Sequence, residues 1–242
     1  MMSTITEIAP DVYRISIYNA QSNMQFNHFI VRDEQPVLYH TGSRSMFPMV
    51  KQAVAKLIRP EQLRWIGFSH FEADECGALN EWLSIAPSAQ AVGTVTAVRV
   101  NLSGFADRPA RALPPVELLT TGKYRFRMIA TPHLPHGWDA GMFFEEIHSI
   151  LFCSDLFHQL GDVEPVTGHS LIERARQVLL ANQVGPLKDY QPFTSKTGDY
   201  MRELAELNPK MLATQHGSTY TGDGAQALLD LLQVIKEVYE NH

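Results

Sequence analysis

The stretch GFSHFEADECGALN, residues 67–80, follows the apolar run RWIGF and concentrates metal-binding side chains at the end of a predicted strand. Within six residues it contains His70, Glu72, Asp74 and Glu75. If the segment is extended, the first three of these point to one side, because side chains alternate along a strand. Gly77 and the helical pattern after it predict a strand–loop–helix junction. The spacing differs from that of a helical two-histidine zinc motif.

The same pattern recurs at three later strand ends. YRFRMIATPHLPHGWD leads to His133 and His136, SILFCSD ends in Asp155, and KMLATQHG leads to His216. Four apolar strands that each end in a histidine or a carboxylate predict a metal pocket. Imidazole and carboxylate donors suit iron, manganese or zinc, and the lack of a thiolate cluster argues against a structural zinc site.

Composition narrows the class of protein. The chain has 242 residues, 45% of them hydrophobic, which predicts one domain over residues 1–242. A net charge of −6 without a basic block argues against nucleic acid or an anionic membrane as partner. We find no apolar run of about 20 residues and no secretory leader, and two cysteines are too few for a disulfide framework. These features predict a cytoplasmic protein.

Periodicity predicts strands and helices in both halves of the chain. The predicted strands are VYRISIY, NHFIVRD, QPVLYHTG, LRWIGFSH, AQAVGT, VELLTT, YRFRMIATPH, a hairpin in MFFEEIHSILFCSD, and KMLATQHGSTY. The predicted helices are SMFPMVKQAVAKLI, GALNEWLSIAP, VTAVRVNLSGF, SLIERARQVLLANQ, TGDYMRELAEL and GAQALLDLLQVIKEVYENH. This order favours a sheet-on-sheet core with helices outside. We expect SLIERARQVLLANQ in the outer layer, with a lid over the site as the alternative.

These motifs resemble the metallo-β-lactamase superfamily, whose usual signature is H-x-H-x-D-H. They are most similar to the diiron domain of flavodiiron proteins and its stand-alone oxygen-binding relatives, in which a glutamate replaces the second histidine. Glu72 is that diagnostic residue. The resemblance continues in the family's order through TPHLPHGWD, LFCSDLF and TQHG. It implies an α+β fold, the αββα sandwich of two mixed β-sheets flanked by helices.

The resemblance also implies a ligand set. One iron would be bound by His70, Glu72 and His136, the other by Asp74 and His216, and Asp155 would bridge the two. Manganese or zinc are the alternatives to iron. His136 is preferred to His133 because the family's H-W-P-D matches HGWD, residues 136–139, in its spacing to the aspartate.

Two features depart from the family pattern. Glu75 stands where the family has a histidine. If Glu75 is a ligand, the carboxylates supply four negative charges to the two metals, which favours hard ions over Zn(II). If its side chain turns away, the second metal has an open coordination position. Flavodiiron proteins also carry a flavodoxin-like domain after this one, whereas this sequence has no glycine-rich phosphate loop. We therefore expect a chain that binds no flavin itself and receives electrons from an external donor protein. The resemblance further suggests a homodimer.

The function expected from these observations is a dinuclear iron protein that binds O2, NO or peroxide, as a reductase or as a sensor. The alternative is a dinuclear metal-dependent hydrolase of an ester, thioester or phosphodiester. We expect Trp138, Phe157 and Tyr220 to line the pocket and His40 to be a hydrogen-bonded turn residue near it. Cys76 and Cys153 are expected to be small buried residues. His28, His148, His158, His169 and His242 are expected to be structural or solvated.

Overall fold

Two seven-stranded sheets form the centre of the protein in a computed structural model that describes residues 3–188 and 190–239. In the first sheet the strands follow the chain order, β1 to β7; in the second the order is β12-β14-β13-β11-β10-β9-β8. Each sheet contains both parallel and antiparallel pairs. The strands of the first sheet are β1 (Ser3–Ala9), β2 (Val12–Asn19), β3 (Met24–Val31), β4 (Val37–Tyr39), β5 (Trp65–Gly67), β6 (Gln90–Gly93) and β7 (Arg111–Ala112). Those of the second are β8 (Leu118–Thr120), β9 (Arg125–Ala130), β10 (Gly141–Glu145), β11 (Ile150–Phe152), β12 (Val166–Thr167), β13 (Met211–Ala213) and β14 (Thr219–Thr221).

The helices cover the outer faces of both sheets. They are α1 (Phe47–Val54), α2 (Ala73–Cys76), α3 (Leu79–Ile85), α4 (Val95–Ala97), α5 (Ser103–Phe105), α6 (Ile172–Asn182), α7 (Thr197–Glu206) and α8 (Gly224–Tyr239). A π-helical turn, Val98–Leu102, joins α4 to α5. The last helix was predicted to continue to His242, and residues 240–242 lie outside the described part of the chain. No helix within that part is long and apolar enough to cross a membrane.

Alternating side chains build the layers of the sandwich. On β3, Phe29 packs between the two sheets while the adjacent Ile30 packs against the layer of α1 and α3. On β11, Phe152 faces the first sheet and Leu151 faces the layer of α6, α7 and α8. Strands with both faces covered commonly read as continuous apolar runs, as ILF in β11 does, whereas β3 also carries the buried polar residues Gln25, Asn27 and His28. The αββα sandwich of two mixed sheets predicted from the sequence is confirmed.

Three details of the secondary-structure prediction were wrong. KMLATQHGSTY is two antiparallel strands, β13 and β14, with His216 in the loop between them. The N-terminal strand β1 was missed, because its residues are only half-buried and show no continuous apolar run. The two-residue strands β7 and β12 were missed because they are too short to produce a period.

The topology brings several strand ends to one edge of the sandwich. Strands β4, β5 and β6 are parallel neighbours in one sheet, and β11 and β13 are parallel neighbours in the other. Parallel strands end at the same edge of a sheet, where ligand sites of mixed α/β folds commonly form. His40, His70, Asp155 and His216 all follow such strand ends.

Candidate metal centre

The junction after β5 is helical where the sequence suggested an extended segment. β5 ends at Gly67, Glu72 has extended backbone angles, and Ala73–Cys76 forms the single-turn helix α2. The expectation that His70, Glu72 and Asp74 point to one side of an extended segment is therefore wrong for Asp74, which lies on the helix. Successive side chains on a helix diverge by about 100° rather than 180°. This geometry lets the adjacent Asp74 and Glu75 contribute to the same group of donors.

A first group of donor atoms consists of His70, Glu72, His136 and Asp155. The Glu72 Oε2 atom lies 3.0 Å from His70 Nε2 and 2.7 Å from His136 Nε2. The Asp155 Oδ2 atom lies 3.6 Å from His70 Nε2 and 3.7 Å from His136 Nε2. Four donor atoms with this spacing can surround one ion.

A second group consists of Asp74, Glu75 and His216. The His216 Nε2 atom lies 3.4 Å from Asp74 Oδ2 and 3.2 Å from Asp155 Oδ1. The two oxygens of Asp155 thus face different groups, Oδ2 the first and Oδ1 the second. This is the arrangement that a carboxylate needs to bridge two ions.

Glu75 is the most deeply buried carboxylate of the cluster, with no exposed surface. Neither of its carboxylate oxygens accepts a hydrogen bond from a donor group of the described residues, although the Asp74 carboxyl lies within hydrogen-bonding reach, and the Oε1 atom is 3.9 Å from His70 Nε2. Burial raises the pKa of Glu75 well above its ordinary value, and the charges of Asp74 and Asp155 raise it further. A buried carboxylate without a partner is strongly unfavourable.

The histidines hold the other carboxylates in their charged form. Hydrogen bonds from His136 and His70 lower the pKa of Glu72 to about 2. Burial alone would lower the pKa of His216, but its contacts with Asp155 and Asp74 outweigh burial and raise that pKa to about 10. Burial would likewise raise the pKa of Asp155, and His216 outweighs it and lowers that pKa below the ordinary value. A bound cation would replace these imidazole protons.

The donors fit a pair of metal ions. Donors about 2.1 Å from one ion lie about 3.0–3.4 Å apart in common coordination geometries, close to the spacings within both groups. The buried carboxylate of Glu75, which receives no hydrogen bond from a described donor group and contributes an oxygen to the second group, is the independent sign that a cation fits there. Imidazole with carboxylate donors suits iron, manganese or zinc.

The imidazole of His70 is supported from behind by hydroxyl groups that the sequence gave no reason to select. Its Nδ1 atom lies 3.0 Å from the Oγ atom of Ser69, which is also 3.1 Å from His40 Nε2. Ser154 donates a hydrogen bond of 2.8 Å to the same Ser69 oxygen. His40 is buried and also contacts the Gln215 side chain. The prediction that His40 is a hydrogen-bonded residue near the site rather than a ligand agrees with this position.

The loop that carries His216 is held by polar side chains of the other sheet. The His216 Nδ1 atom lies 2.9 Å from the backbone oxygen of Gln25 on β3. Asn27 on β3 and the buried Arg14 on β2 both donate to the backbone oxygen of Gly217, at 2.8 Å and 2.9 Å. These bonds direct the Nε2 atom of His216 toward the carboxylates.

The loop between β9 and β10 presents His136 and not His133. His133 is exposed and takes no part in either donor group. Asp139 accepts hydrogen bonds from the backbone nitrogen of Phe71 and from Asn101, at 3.1 Å and 2.9 Å. It therefore fixes the His70 segment against this loop.

An open cavity of about 440 Å³ leads to both groups. Its wall includes Met24, Phe26, Met46, His158 and Tyr190 in addition to the donor residues. His158, expected to be structural or solvated, thus reaches the cavity. Trp138, Phe157 and Tyr220, expected to line it, are absent from its described wall. Trp138 is instead 57% exposed, and Phe157 is buried in the core beneath the second sheet.

Helix α6 belongs to the outer layer, the first of the two alternatives for SLIERARQVLLANQ. It buries Ala175, Val178 and Leu179 in the cluster that also contains α7 and α8. Only its last residue, Asn182, and the following Leu187 and Tyr190 reach the cavity wall. Cys76 and Cys153 are buried and reduced, as predicted.

Comparison with known proteins shows which family the chain matches. Residues 24–217 match the model of a family described as ODP family beta lactamase. A curated relative, rubredoxin-oxygen oxidoreductase of Megalodesulfovibrio gigas, is 26% identical over 211 residues, which cover 81% of this chain and 49% of the relative. The chain spans between 24% and 57% of the length of the curated relatives it matches.

Solved structures show the same fold at low sequence identity. The flavodiiron protein of Giardia intestinalis has a TM-score of 0.78 and 16% identity, covering 99% of this chain and 60% of that one. A fragment, residues 1–254, of the putative diflavin flavoprotein A 5 of Nostoc sp. PCC 7120 has a TM-score of 0.78 and 17% identity, covering 100% of this chain and 99% of the fragment. The resemblance to flavodiiron metallo-β-lactamase cores that the sequence motifs indicated is confirmed.

Proposed function

We propose that this chain, which belongs to the ODP family of beta-lactamases, binds two iron ions in the cluster described above and binds O2 or NO there, with reduction when an electron donor is present. The observation that carries the proposal is the position of Asp155, whose two oxygens face two separate groups of donors. The proposed ligands are His70, Glu72 and His136 on one side, Asp74, Glu75 and His216 on the other, and Asp155 between them. A bound iron pair would supply open coordination positions and redox equivalents for the diatomic molecule.

The chain's own residues favour such a site over a hydrolytic one. Four carboxylates, Glu72, Asp74, Glu75 and Asp155, would balance two divalent ions and weaken them as Lewis acids. Met24, Phe26 and Met46 supply an apolar wall on one side of the cavity, which suits an uncharged diatomic ligand. None of the described residues that line the cavity is a lysine or arginine, so a phosphodiester would meet no side-chain cation.

One observation keeps the hydrolase as a second candidate. The cavity volume of about 440 Å³ is far larger than a diatomic molecule needs and lies in the range of organic-ligand pockets. An ester or thioester would fit it. A panel of such substrates, assayed with zinc-loaded and iron-loaded protein, tests this candidate.

The first experiment is metal analysis of protein from iron-replete cells, with anaerobic and aerated optical spectra. We expect about two irons per chain and a new absorption band when O2 is admitted. Asp155→Asn should reduce the iron content and abolish the band, whereas Asp199→Asn, on the exposed face of α7, should change neither. Two zincs that persist in iron-replete protein, with no response to O2, would contradict the proposal.

Three further properties belong to the same proposal. Steady-state O2 consumption with a chemical reductant separates a reductase from a sensor, which would turn over slowly. The external electron donor protein is supported by the name of the Megalodesulfovibrio gigas relative, which includes rubredoxin. The homodimer and the cytoplasmic location are expectations from the sequence, and sedimentation of the purified chain tests the first.

A further inference from the structure

The two donor groups of the cluster differ in chemistry. The first group contributes two imidazole nitrogens, from His70 and His136, and a carboxylate oxygen from Glu72. The second contributes one imidazole nitrogen, from His216, and carboxylate oxygens from Asp74 and Glu75. With one Asp155 oxygen facing each group, the first set is two nitrogens and two oxygens, and the second is one nitrogen and three oxygens.

Glu75 is the residue that creates this difference. Its backbone oxygen accepts hydrogen bonds from the backbone nitrogen and the hydroxyl of Thr41, at 2.6 Å and 3.2 Å, which fix the helical turn that carries it. Its side chain is completely buried, no donor group of the described residues bonds to either oxygen, and one oxygen lies in a group with those of Asp74 and His216. A buried and fixed carboxylate whose close neighbours include another carboxylate, and which receives no hydrogen bond from a described donor group, has the features of a ligand for a hard cation.

Donor type governs which ion a position prefers. Carboxylate oxygens suit Mn(II) and other hard ions, whereas imidazoles suit zinc and ferrous iron. In absolute terms Zn(II) binds most sites of this kind more tightly than Mn(II). The informative quantity is therefore the ratio of the Mn(II) and Zn(II) affinities at each position.

We infer that the two positions are unequal, and that Glu75 makes the Asp74–Glu75–His216 position selective for a hard ion such as Mn(II), while the His70–Glu72–His136 position takes Zn(II) or Fe(II). The inference rests on the proposed function in assuming two metal positions. It adds that the natural pair can be mixed and that it fills in order. The nitrogen-rich position fills first with a borderline ion, and the oxygen-rich position fills second.

The test uses the full chain, stripped with a chelator under anaerobic conditions. One equivalent of Zn(II) is added, followed by a titration with Mn(II). Electron paramagnetic resonance reports bound Mn(II), and mass spectrometry of the dialysed protein reports both metals. We expect one zinc and one manganese per chain, with the manganese signal of an isolated ion.

Two variants of Glu75 address the selectivity directly. Glu75→His should weaken Mn(II) binding at the second position by at least about tenfold and allow a second zinc to bind. Glu75→Gln, of the same shape, should weaken Mn(II) binding without attracting zinc. Glu203→His, at an exposed position of α7 outside the cluster, is the matched control and should behave as the wild type. Circular dichroism confirms that each variant is folded.

The outcomes separate this inference from the proposed function. A Mn(II)-to-Zn(II) ratio that is equal at both positions in the wild-type chain, or unchanged in a folded Glu75→His variant, would overturn the inference. If Glu75→His does not fold, the wild-type competition decides alone. If the iron-loaded chain does not respond to O2 but its two positions differ in their Mn(II)-to-Zn(II) affinity ratio, the proposed function is wrong and the inference still holds.

Discussion

Ser69 provides the nearer of the two hydroxyls, the other being that of Ser154 at 3.4 Å, that lie within hydrogen-bond distance of the Nδ1 atom of His70. Its oxygen is within hydrogen-bond distance of the His70 and His40 rings and of Ser154, and all four residues are buried. A histidine that binds a metal through Nε2 needs a partner at Nδ1 to fix its tautomer and the angle of the ring. In this chain a hydroxyl, and not a carboxylate, occupies that place.

We predict that Ser69→Ala weakens metal binding about 10- to 100-fold, because the His70 ring loses the group that orients it. Competition with a chromophoric chelator, with Fe(II) under anaerobic conditions, measures the affinity. Ser84→Ala removes an exposed hydroxyl that bonds only within α3 and serves as the control. Unchanged affinity in a folded Ser69→Ala variant would show that the Ser69 hydroxyl is not required to orient His70.

At the scale of elements, Asp33 joins the turn between β3 and β4 to the hairpin of β8 and β9 in the other sheet. Its carboxylate accepts hydrogen bonds from the Thr121 hydroxyl at 2.8 Å and from the backbone nitrogens of Glu34, Lys123 and Tyr124. Partial burial alone would raise the pKa of Asp33, but these donors outweigh burial and lower it below the ordinary value of 3.8. Asp33 therefore links the two sheets, because its turn in the first sheet bonds to a hairpin of the second sheet that is distant in sequence.

We predict that Asp33→Asn destabilises the protein by about 2 kcal/mol at neutral pH, because the amide cannot accept all of these bonds. A lowered pKa in the folded state means that the stabilisation is fully present above the unfolded value, near pH 4, and is lost as the pH falls through the folded pKa. The difference between wild type and variant should therefore hold from pH 7 to pH 5 and shrink in more acidic solution.

Urea denaturation between pH 2.5 and 7 measures this difference. Glu34→Gln, at the next and exposed position of the same turn, is the control and should change stability by less than about 0.5 kcal/mol. If the loss of stability in Asp33→Asn does not depend on pH, packing of the Asp33 side chain, and not its charge, accounts for that loss.

At the scale of the whole molecule, the proposed ligands come from both sheets. His70, Glu72, Asp74 and Glu75 follow β5 of the first sheet, whereas the other three lie on loops of the second. An ion that binds this set only in the folded state must stabilise the joined sheets. At a free ion concentration 100 times the dissociation constant, the gain is about 2.7 kcal/mol per ion.

We predict that removal of both metal ions lowers the melting temperature by about 10 to 20 °C for a domain of this size, because the two ions together contribute about 5.4 kcal/mol at that concentration. Differential scanning calorimetry of stripped and reloaded protein measures the shift. Asp155→Asn should abolish most of it, and the exposed Asp199→Asn should retain it. Equal melting temperatures with and without metal in the wild-type chain would argue against a site shared by the two sheets.

Local patterns predicted much of this architecture. Apolar runs such as VLY in β4 and ILF in β11 marked strands covered on both faces, and the long periodic helices α6, α7 and α8 were found close to their observed bounds. The donors at strand ends were recognisable for the same reason, since a hard ligand directly after an apolar strand stands out from the sequence around it. The order of these motifs was sufficient to indicate the family.

Contacts between segments distant in sequence were decided only by the tertiary structure. No pattern around Gln25 or Asn27 indicates that these residues hold the loop of the proposed ligand His216, because that loop is remote in the chain. The orientation of the Glu75 side chain could not be predicted for the same reason. The sequence left open whether Glu75 is a ligand or turns away, and only the helical turn of α2 and the packing around it place one of its oxygens in the second donor group. Side-chain period is a local property, whereas burial and donor spacing depend on how the two sheets meet.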